Sequence, residues 1–592
     1  MISMILASAL LVVGPVSVPR AVAITWDDLS QDDQEFLDMV ERKAFEFFWY
    51  EVNESNGLIA NRANVSGGPS NTCSIASVGF GLSAICVADE RGWITHTEAY
   101  DRVLTTLKSF HDNSANDPDD FYVSGSHGLF RHFVNMDTGQ GGASEISLID
   151  TALLIAGVIH AGQHFKGTEV ETLADEIYRA VEWDWMQIGD LLKGTDDATV
   201  GWRGYDEYIL AYFLAIGSPT HPPTASVWDG YCSTYRRVVG WPDGYTGDPF
   251  LTPGGQRRPL AYLYQFPACW IDFRWKEDDY AYYWQEFTNA LTANRQHCIN
   301  ENPKYGYPDQ LWGWTACDGP DGYQGYGSPY NGTVSPSAVA TSTLFDLETA
   351  LTDLKYMYNN YPNCWREDEY GFVNSFNPYQ NWYARGYVGI DQGNLCLIIE
   401  GARSGQVWKE FMQNPYMQNA LDIAGFTYNE TTPPTPFDLI SPENGATVGS
   451  ATMLTWEAAV DAETGIDHYD VWINDAFVGS TSDTSYPATG MNDGLYTWYV
   501  VAYDVAGNST QSTSTYSFAV DSTFMPELGD VDGSGAVNII DALQVARYDA
   551  GIIPNPFYTE AADVDCNSEI NIIDALQISR YDAQLIGLFS CG

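Results

Sequence analysis

A duplication near the C-terminus constrains this chain more than any other feature. Asp530-Val-Asp532-Gly-Ser534-Gly-Ala536-Val-Asn538-Ile-Ile-Asp541 recurs as Asp563-Val-Asp565-Cys-Asn567-Ser-Glu569-Ile-Asn571-Ile-Ile-Asp574. Each copy runs into an apolar segment that reads as a helix, Ala542–Tyr548 and Ala575–Tyr581. A hard cation such as Ca²⁺ needs oxygen ligands at loop positions 1, 3, 5, 9 and 12, with a backbone carbonyl at position 7. The first copy offers Asp530, Asp532, Ser534, Asn538 and Asp541, with the carbonyl of Ala536. The second offers Asp563, Asp565, Asn567, Asn571 and Asp574, with the carbonyl of Glu569. Gly535 at position 6 permits the sharp turn, and Ser568 stands there in the second copy. A chance acidic turn is a poor account of two loops in register.

This pair of calcium-loop-plus-helix units resembles a type I dockerin. Position 12 is Asp in both copies, as in dockerins, where an EF-hand sensor carries Glu. The resemblance implies two structural Ca²⁺ ions and a cohesin-type partner. Positions 10 and 11 are Ile539-Ile540 and Ile572-Ile573, identical between copies. Dockerins contact cohesin from those positions, so the match implies a two-fold face able to engage in either orientation. The alternative is that these Ile residues pack within the module. Cys566 and Cys591 are the only Cys of this segment and could clasp its ends. A dockerin attaches a cargo, so the upstream chain is expected to be that cargo.

A length of 592 residues calls for several domains. The net charge of −51 argues against nucleic acid and anionic membranes as partners and suits a neutral substrate. Aromatic residues make up 14%, with 19 Trp and 38 Tyr, beyond the usual need of core packing. Sugar clefts use such a surplus, because ring faces stack on the apolar faces of sugars. Ile5 to Val13 is an apolar run too short to span a membrane, and Ala21-Val-Ala23 follows as a small-x-small cleavage pattern. Residues 1–23 therefore read as a secretory signal peptide. The expected location is outside the cell, attached to a scaffold or the cell surface. Ten Cys in an exported chain can form disulfides. No pair shows C-x₂-C spacing, which argues against zinc.

Residues 431–436, Thr-Thr-Pro-Pro-Thr-Pro, read as a stiff linker. From 437 to 522 apolar residues alternate, as in Leu454-Thr-Trp456, Tyr469–Ile473 and Tyr496–Ala502, with Asn, Asp and Gly turns between. About seven short strands give a β-sandwich. Gly494 to Asn508 resembles a fibronectin type III or related immunoglobulin-like module, read as a spacer. The dockerin occupies 527–592. Residues 24–430 show helical periodicity instead, as in Phe36, Leu37, Val40, Ala44, Phe47 and Phe48. Thr95-His-Thr-Glu98 is a capping box opening a Tyr100–Phe110 helix. Further helices are expected over 147–165, 172–186, 205–216, 279–298, 336–358 and 392–402. The fold class is thus an all-α (α/α)6 toroid, a β-sandwich and a small α dockerin.

An ordered set of segments in the helical region carries a second resemblance. These are Ser74–Leu82 with Glu90-Arg-Gly-Trp93, His127–His132, Ser144–Leu153, Gly204-Tyr-Asp-Glu207, Gly217–His221 and Gly389–Gly393. Together they resemble the bacterial glucoamylase-like domain, which is similar to the endo-β-1,2-glucanase glycoside hydrolases. The resemblance spans nearly all of 30–425. It implies an (α/α)6 barrel and an inverting glycosidase that needs no catalytic cofactor. The substrate implied is a neutral glucan, β-linked, with β-1,2 favoured. The competing readings are a non-catalytic glucan binder, an α-glucan-acting enzyme and a polysaccharide lyase. A lyase needs positive charge against uronic acids, which suits this chain poorly. No G-x-S-x-G elbow, P-loop, dinucleotide fingerprint or H-E-x-x-H occurs.

Inverting hydrolysis needs one protonated carboxyl at the leaving oxygen and a second carboxylate to activate water. Glu207 is the candidate acid: it opens an apolar helix beside Tyr205, and a shielded carboxyl has a raised pKa. It matches the family's Tyr-Asn-Glu motif, with Asp206 replacing the Asn. The alternative is a Glu that complements its helix dipole. Glu145 or Asp150 is the base or grips the central sugar, against an N-terminal cap network with Ser147 and Thr151. Asp391 either caps its helix or holds a sugar. Arg131 and His132 are candidate substrate contacts. Trp202, Tyr205, Trp312 and Trp314 are candidate stacking platforms, with about half expected in the core.

Overall fold

In a computed structural model, residues 24–589 are described, except 66–69, 112–120, 243–246, 522, 524–526, 553 and 555–556. The signal-peptide segment 1–23 and Cys591 lie outside the described residues. The chain divides into two compact units, one ending at Phe426 and one beginning at Thr427.

The N-terminal unit is helical around one large apolar core. Its innermost helices, Ile75–Glu90 and Leu148–His164, bury nearly every side chain. Such helices are apolar all round, so their periodicity is faint in sequence. They approach closely through glycine. A Cβ at Gly157 would lie 2.0 Å from the Gly79 carbonyl oxygen, and one at Gly79 would lie 2.1 Å from that of Leu153. The Ser74–Leu82 segment is therefore first a packing motif.

The capping box is present: the Thr95 amide donates to Glu98 Oε2 at 2.9 Å, and the Glu98 amide to Thr95 Oγ1 at 3.3 Å. Its helix runs His96–His111. The expected 336–358 helix is broken into Pro336–Ala340, a 3-10 turn at Thr341–Leu344, and Leu347–Asn360. Thr341, Ser342 and Thr343 each return a hydroxyl to a carbonyl three or four residues back. Such back-bonding competes with regular helix. The eight Cys of this unit are buried free thiols, so none joins the disulfides that an exported chain allows.

Short two-stranded ladders deliver the helix starts to one end of the unit. Arg62–Asn64 pairs with Gly386–Val388, which runs directly into the helix Gly389–Arg403. Thr72–Ser74 pairs with Phe133–Asn135 and leads into Ile75–Glu90. Among the described residues no helix is long and apolar enough to cross a membrane.

The C-terminal unit opens with two sheets. One has three strands, centred on Ala451–Trp456; the other has six, centred on Gly494–Asp504 and Ile466–Ile473. Trp456, Trp498, Tyr469, Val471, Val500 and Phe518 form the core between them. Residues 431–436 are not a free tether: the Thr435 amide donates to Val460 O at 2.8 Å, and the Thr510 hydroxyl to Pro434 O at 2.6 Å. After the sandwich come two loops followed by the helices Ile539–Asp549 and Ile572–Asp582, which pack around Val531, Val545, Val564 and Ile578.

Candidate functional site

A cavity of about 510 Å³ opens among the helix starts of the N-terminal unit. Asp150, Glu207, Asp391 and His132 line it, with Arg62, Tyr262, Tyr323 and Tyr326 among its other walls. Two of the three carboxyls come from equivalent local positions. Asp150 is the third residue of Leu148–His164, and Asp391 the third of Gly389–Arg403. Glu207 lies two residues before Ile209–Gly217. Sequence reasoning set Glu207 inside that helix; it belongs to the turn that precedes it, and its carbonyl accepts from the Leu210 amide at 3.2 Å. Helix N-termini favour negative charge, so this ring of starts tolerates three acids together.

Glu207 is half-buried, and no side chain hydrogen-bonds its carboxyl among the described residues. Burial pushes that carboxyl well above the usual range, and the Asp206 and Asp150 charges push the same way. Asp206 accepts from the Trp202 indole, from the Tyr208 amide at 3.1 Å and from the Tyr231 hydroxyl at 3.3 Å. Those donors accommodate a carboxylate where the family motif has Asn. Burial still pushes Asp206 up to about 7.

Asp150 accepts from the Ser147 hydroxyl at 2.5 Å, and its other oxygen lies 3.3 Å from His132 Nε2. Burial raises its carboxyl, while the His132 charge and the Ser147 hydrogen bond offset part of that. His132 Nδ1 lies 2.8 Å from Glu145 Oε1, so the imidazole bridges two acids. Glu145 is not on the cavity wall. Burial would raise it, but its hydrogen bond with His132 holds it below the usual range. The cap network around Ser147 and the cavity-facing carboxyl are thus the same group. Asp391 accepts from the Asn374 amide, and burial pushes it up to about 7 against the nearby Arg62 charge.

The expected stacking platforms fall elsewhere. Tyr205 is fully buried, stacked on Tyr264, because its hydroxyl reaches the Leu263 carbonyl inside the core. Trp312 is buried with its indole on Asp353, and Trp314 packs beside His297 and Tyr330. Trp202 is partly exposed and stacks on Tyr208, outside the cavity wall. Arg131 donates to the Ser144 carbonyl and holds that loop rather than the cavity. The aromatic wall comes instead from Tyr262, Tyr323 and Tyr326. Tyr323 sits on a hairpin, Cys317–Gly319 with Gly322–Gln324. Arg62 pins that hairpin: Nη1 lies 2.9 Å from both oxygens of Asp318, and the guanidinium sits 5.5 Å from the Tyr323 ring. The Pro320-Asp321-Gly322 turn was the signal available for it.

In the C-terminal unit, Asp530, Asp532 and Asp541 bring carboxylate oxygens within 4.8 Å of one another, as do Asp563, Asp565 and Asp574. Asp541 Oδ1 accepts from the Val531 and Asp532 amides at 2.8 and 3.2 Å; Asp574 Oδ1 does the same for Val564 and Asp565 at 3.0 and 3.3 Å. Burial, then the Asp532 charge, pushes Asp541 up to about 9. Carboxyls packed this way ionise together only beside a cation, so both donor sets fit Ca²⁺. Ile539, Ile540, Leu543, Ile572, Ile573 and Leu576 line an open apolar groove of about 560 Å³. The two Ile pairs therefore face outward rather than pack within the module.

Residues 199–415 match the glycoamylase family, described as "Putative glucoamylase", and residues 528–581 match the type I dockerin domain. An exo β-1,2-glucooligosaccharide sophorohydrolase (non-reducing end) of Parabacteroides distasonis is 26% identical over 435 residues, 66% of this chain. The chain spans 57% of that relative's length. An endo-β-1,2-glucanase structure from Chitinophaga pinensis, with sophorotriose and glucose, superposes with a TM-score of 0.60 at 26% identity. That match covers 67% of this chain and 99% of the other. A crystal structure from Bacteroides uniformis, bearing the same description as the family, gives a TM-score of 0.60 at 29% identity over 68% of this chain and 98% of its own.

Proposed function

We propose that this chain, which carries a glucoamylase-like family domain and a C-terminal type I dockerin, is a secreted inverting glycoside hydrolase of β-1,2-glucan. The observation that carries this is the convergence of Glu207, Asp150 and Asp391 on one cavity walled by tyrosines. The likeness to solved structures supports an (α/α)6 toroid around it. The relatives named for β-1,2-glucan chemistry support the linkage.

Glu207 is the general acid. Its raised pKa keeps a proton available for the glycosidic oxygen, and no side chain competes for that proton. Asp150 is the base that activates water. It lines the cavity, unlike Glu145, and Ser147 and His132 hold its orientation. Asp391 grips a sugar hydroxyl. Tyr323 and Tyr326 present ring faces to sugar, and Arg62 fixes the hairpin that carries Tyr323. Two Ca²⁺ ions order the dockerin, and the Ile539 and Ile572 face takes a cohesin-type partner. The β-sandwich is of the fibronectin type III kind.

Glu207→Gln is expected to reduce hydrolysis about 10²–10⁴-fold with substrate binding retained. Reducing-sugar release from β-1,2-, β-1,3-, β-1,4- and α-glucans measures hydrolysis and linkage, and calorimetric titration with the same glucans measures binding. Turnover within a few-fold of wild type would remove Glu207 as the acid. Release from another glucan alone would overturn the linkage, and binding with no release from any would favour a non-catalytic binder.

A further inference from the structure

The two calcium loops are near copies in sequence, yet their surroundings differ. Asp530, Asp532 and Ser534 of the first are each 1% exposed. In the second, Asp563 and Asp565 are half-buried and Asn567 is exposed. Backbone geometry does not explain this. Gly533 and Cys566 have φ of 66° and 57°, and Gly535 and Ser568 have 90° and 71°. The β-sandwich supplies the difference. Thr452 Oγ1 donates to the Gly533 carbonyl at 3.1 Å, and Ser441 Oγ to the Ser534 carbonyl at 3.4 Å. In return the Tyr558 hydroxyl donates to the Ala451 carbonyl at 2.9 Å. Contact is tight: a Cβ at Gly449 of the sandwich would lie 2.1 Å from the Tyr558 oxygen, and Tyr558 itself packs on the loop, where a Cβ at Gly533 would lie 2.4 Å from its ring. Thr452 and Ser441 are themselves buried.

We propose that the β-sandwich clamps the first calcium loop, so that this loop holds its ion far longer than the second and the sandwich is part of the attachment module. This rests on the dockerin reading above. The gripped carbonyls belong to loop positions 4 and 5, within the run of ligands Asp530, Asp532 and Ser534. Holding that backbone in place preorganises the ligands, and preorganisation strengthens binding. By linkage, calcium in the first loop tightens the sandwich contact by the same factor. The second loop is the more open of the two, with Asn567 and Ser568 exposed, and Ser568 sits in a left-handed conformation that favours Gly.

The test is calcium release from the full chain, followed by stopped flow into a fluorescent chelator. Two phases are expected, separated by about tenfold or more, the effect of losing two ordinary hydrogen bonds. Asp541→Ala should delete the slow phase and Asp574→Ala the fast one. The near-isosteric pair Thr452→Val with Tyr558→Phe should speed the slow phase about tenfold and leave the fast phase unchanged, which also reports that the module stays folded. Gly449→Ala is a second wedge at the same contact. A single phase, or a slow phase that none of these sandwich-contact variants speeds, would overturn the clamp. No calcium bound by the wild-type chain would overturn the dockerin reading itself.

Discussion

Glu207 occupies a turn where burial and two neighbouring acids all oppose its charge. With Glu207 as the proposed acid, this raised pKa extends the protonated form to higher pH, so the alkaline limb of the rate profile is expected to follow Glu207. With Asp150 as the proposed base, the acidic limb is expected to follow its ionisation and to lie above the ordinary Asp range because burial raises it. For stability the sign is the opposite of a salt-bridged acid. The folded state holds the Glu207 proton more tightly than the unfolded state. Stability therefore falls as pH rises from the unfolded pKa through the folded one. Glu207→Gln removes that loss, so it should melt higher than wild type at neutral pH while losing activity. Calorimetry of both forms across pH checks this; an equal or lower melting temperature for the variant would contradict the burial argument. The acids were legible in sequence because each precedes or opens an apolar helix. The aromatic wall was not. Tyr205 and Trp312 satisfy their polar atoms inside the core, and nothing in a one-dimensional pattern distinguishes such rings from Tyr323 on its hairpin.

At the scale of elements, helix starts hold the site and glycine contacts hold the helices. Ile75–Glu90 and Leu148–His164 supply Ser74 and Asp150 to the cavity from adjacent ends. Their separation is fixed by Gly79 and Gly157. Gly157→Ala gains about 1 kcal/mol of helix propensity. It also drives a Cβ to 2.0 Å from a backbone oxygen, which side-chain motion cannot relieve. Overpacking costs about 1–3 kcal/mol and more when backbone must move, so the net effect is destabilising. A lowered melting temperature and reduced hydrolysis are expected together, since Asp150 rides on the displaced helix. A variant that melts at or above wild type would show that the helices can part without loss. Capped helices were readable to within a few residues, as at Thr95 and Glu98. The 336–358 stretch was not, because three consecutive hydroxyl residues break the ladder without Gly or Pro inside it.

For the whole molecule, the two chemistries share no residue. Every acid lining the cavity lies between 150 and 391, and every candidate calcium ligand between 530 and 574. A chelator should therefore leave glucan hydrolysis within about twofold of the untreated chain. It should also remove capture by a cohesin-type partner, because the Ile539 and Ile572 groove is held open by helices that the loops anchor. Bound calcium at about a hundred times its dissociation constant stabilises the loaded module by about 2.7 kcal/mol. The net charge of −51 sharpens the effect, since removing bound divalent cations adds to self-repulsion. Scanning calorimetry of the full chain with and without chelator, alongside reducing-sugar release, separates the outcomes. A melting transition that drops while hydrolysis persists is the expected pair. Loss of hydrolysis on chelation would mean that a metal acts in the cavity, and the two-carboxylate mechanism would fall. Capture that survives chelation would instead mean that the apolar groove does not depend on the loops beside it.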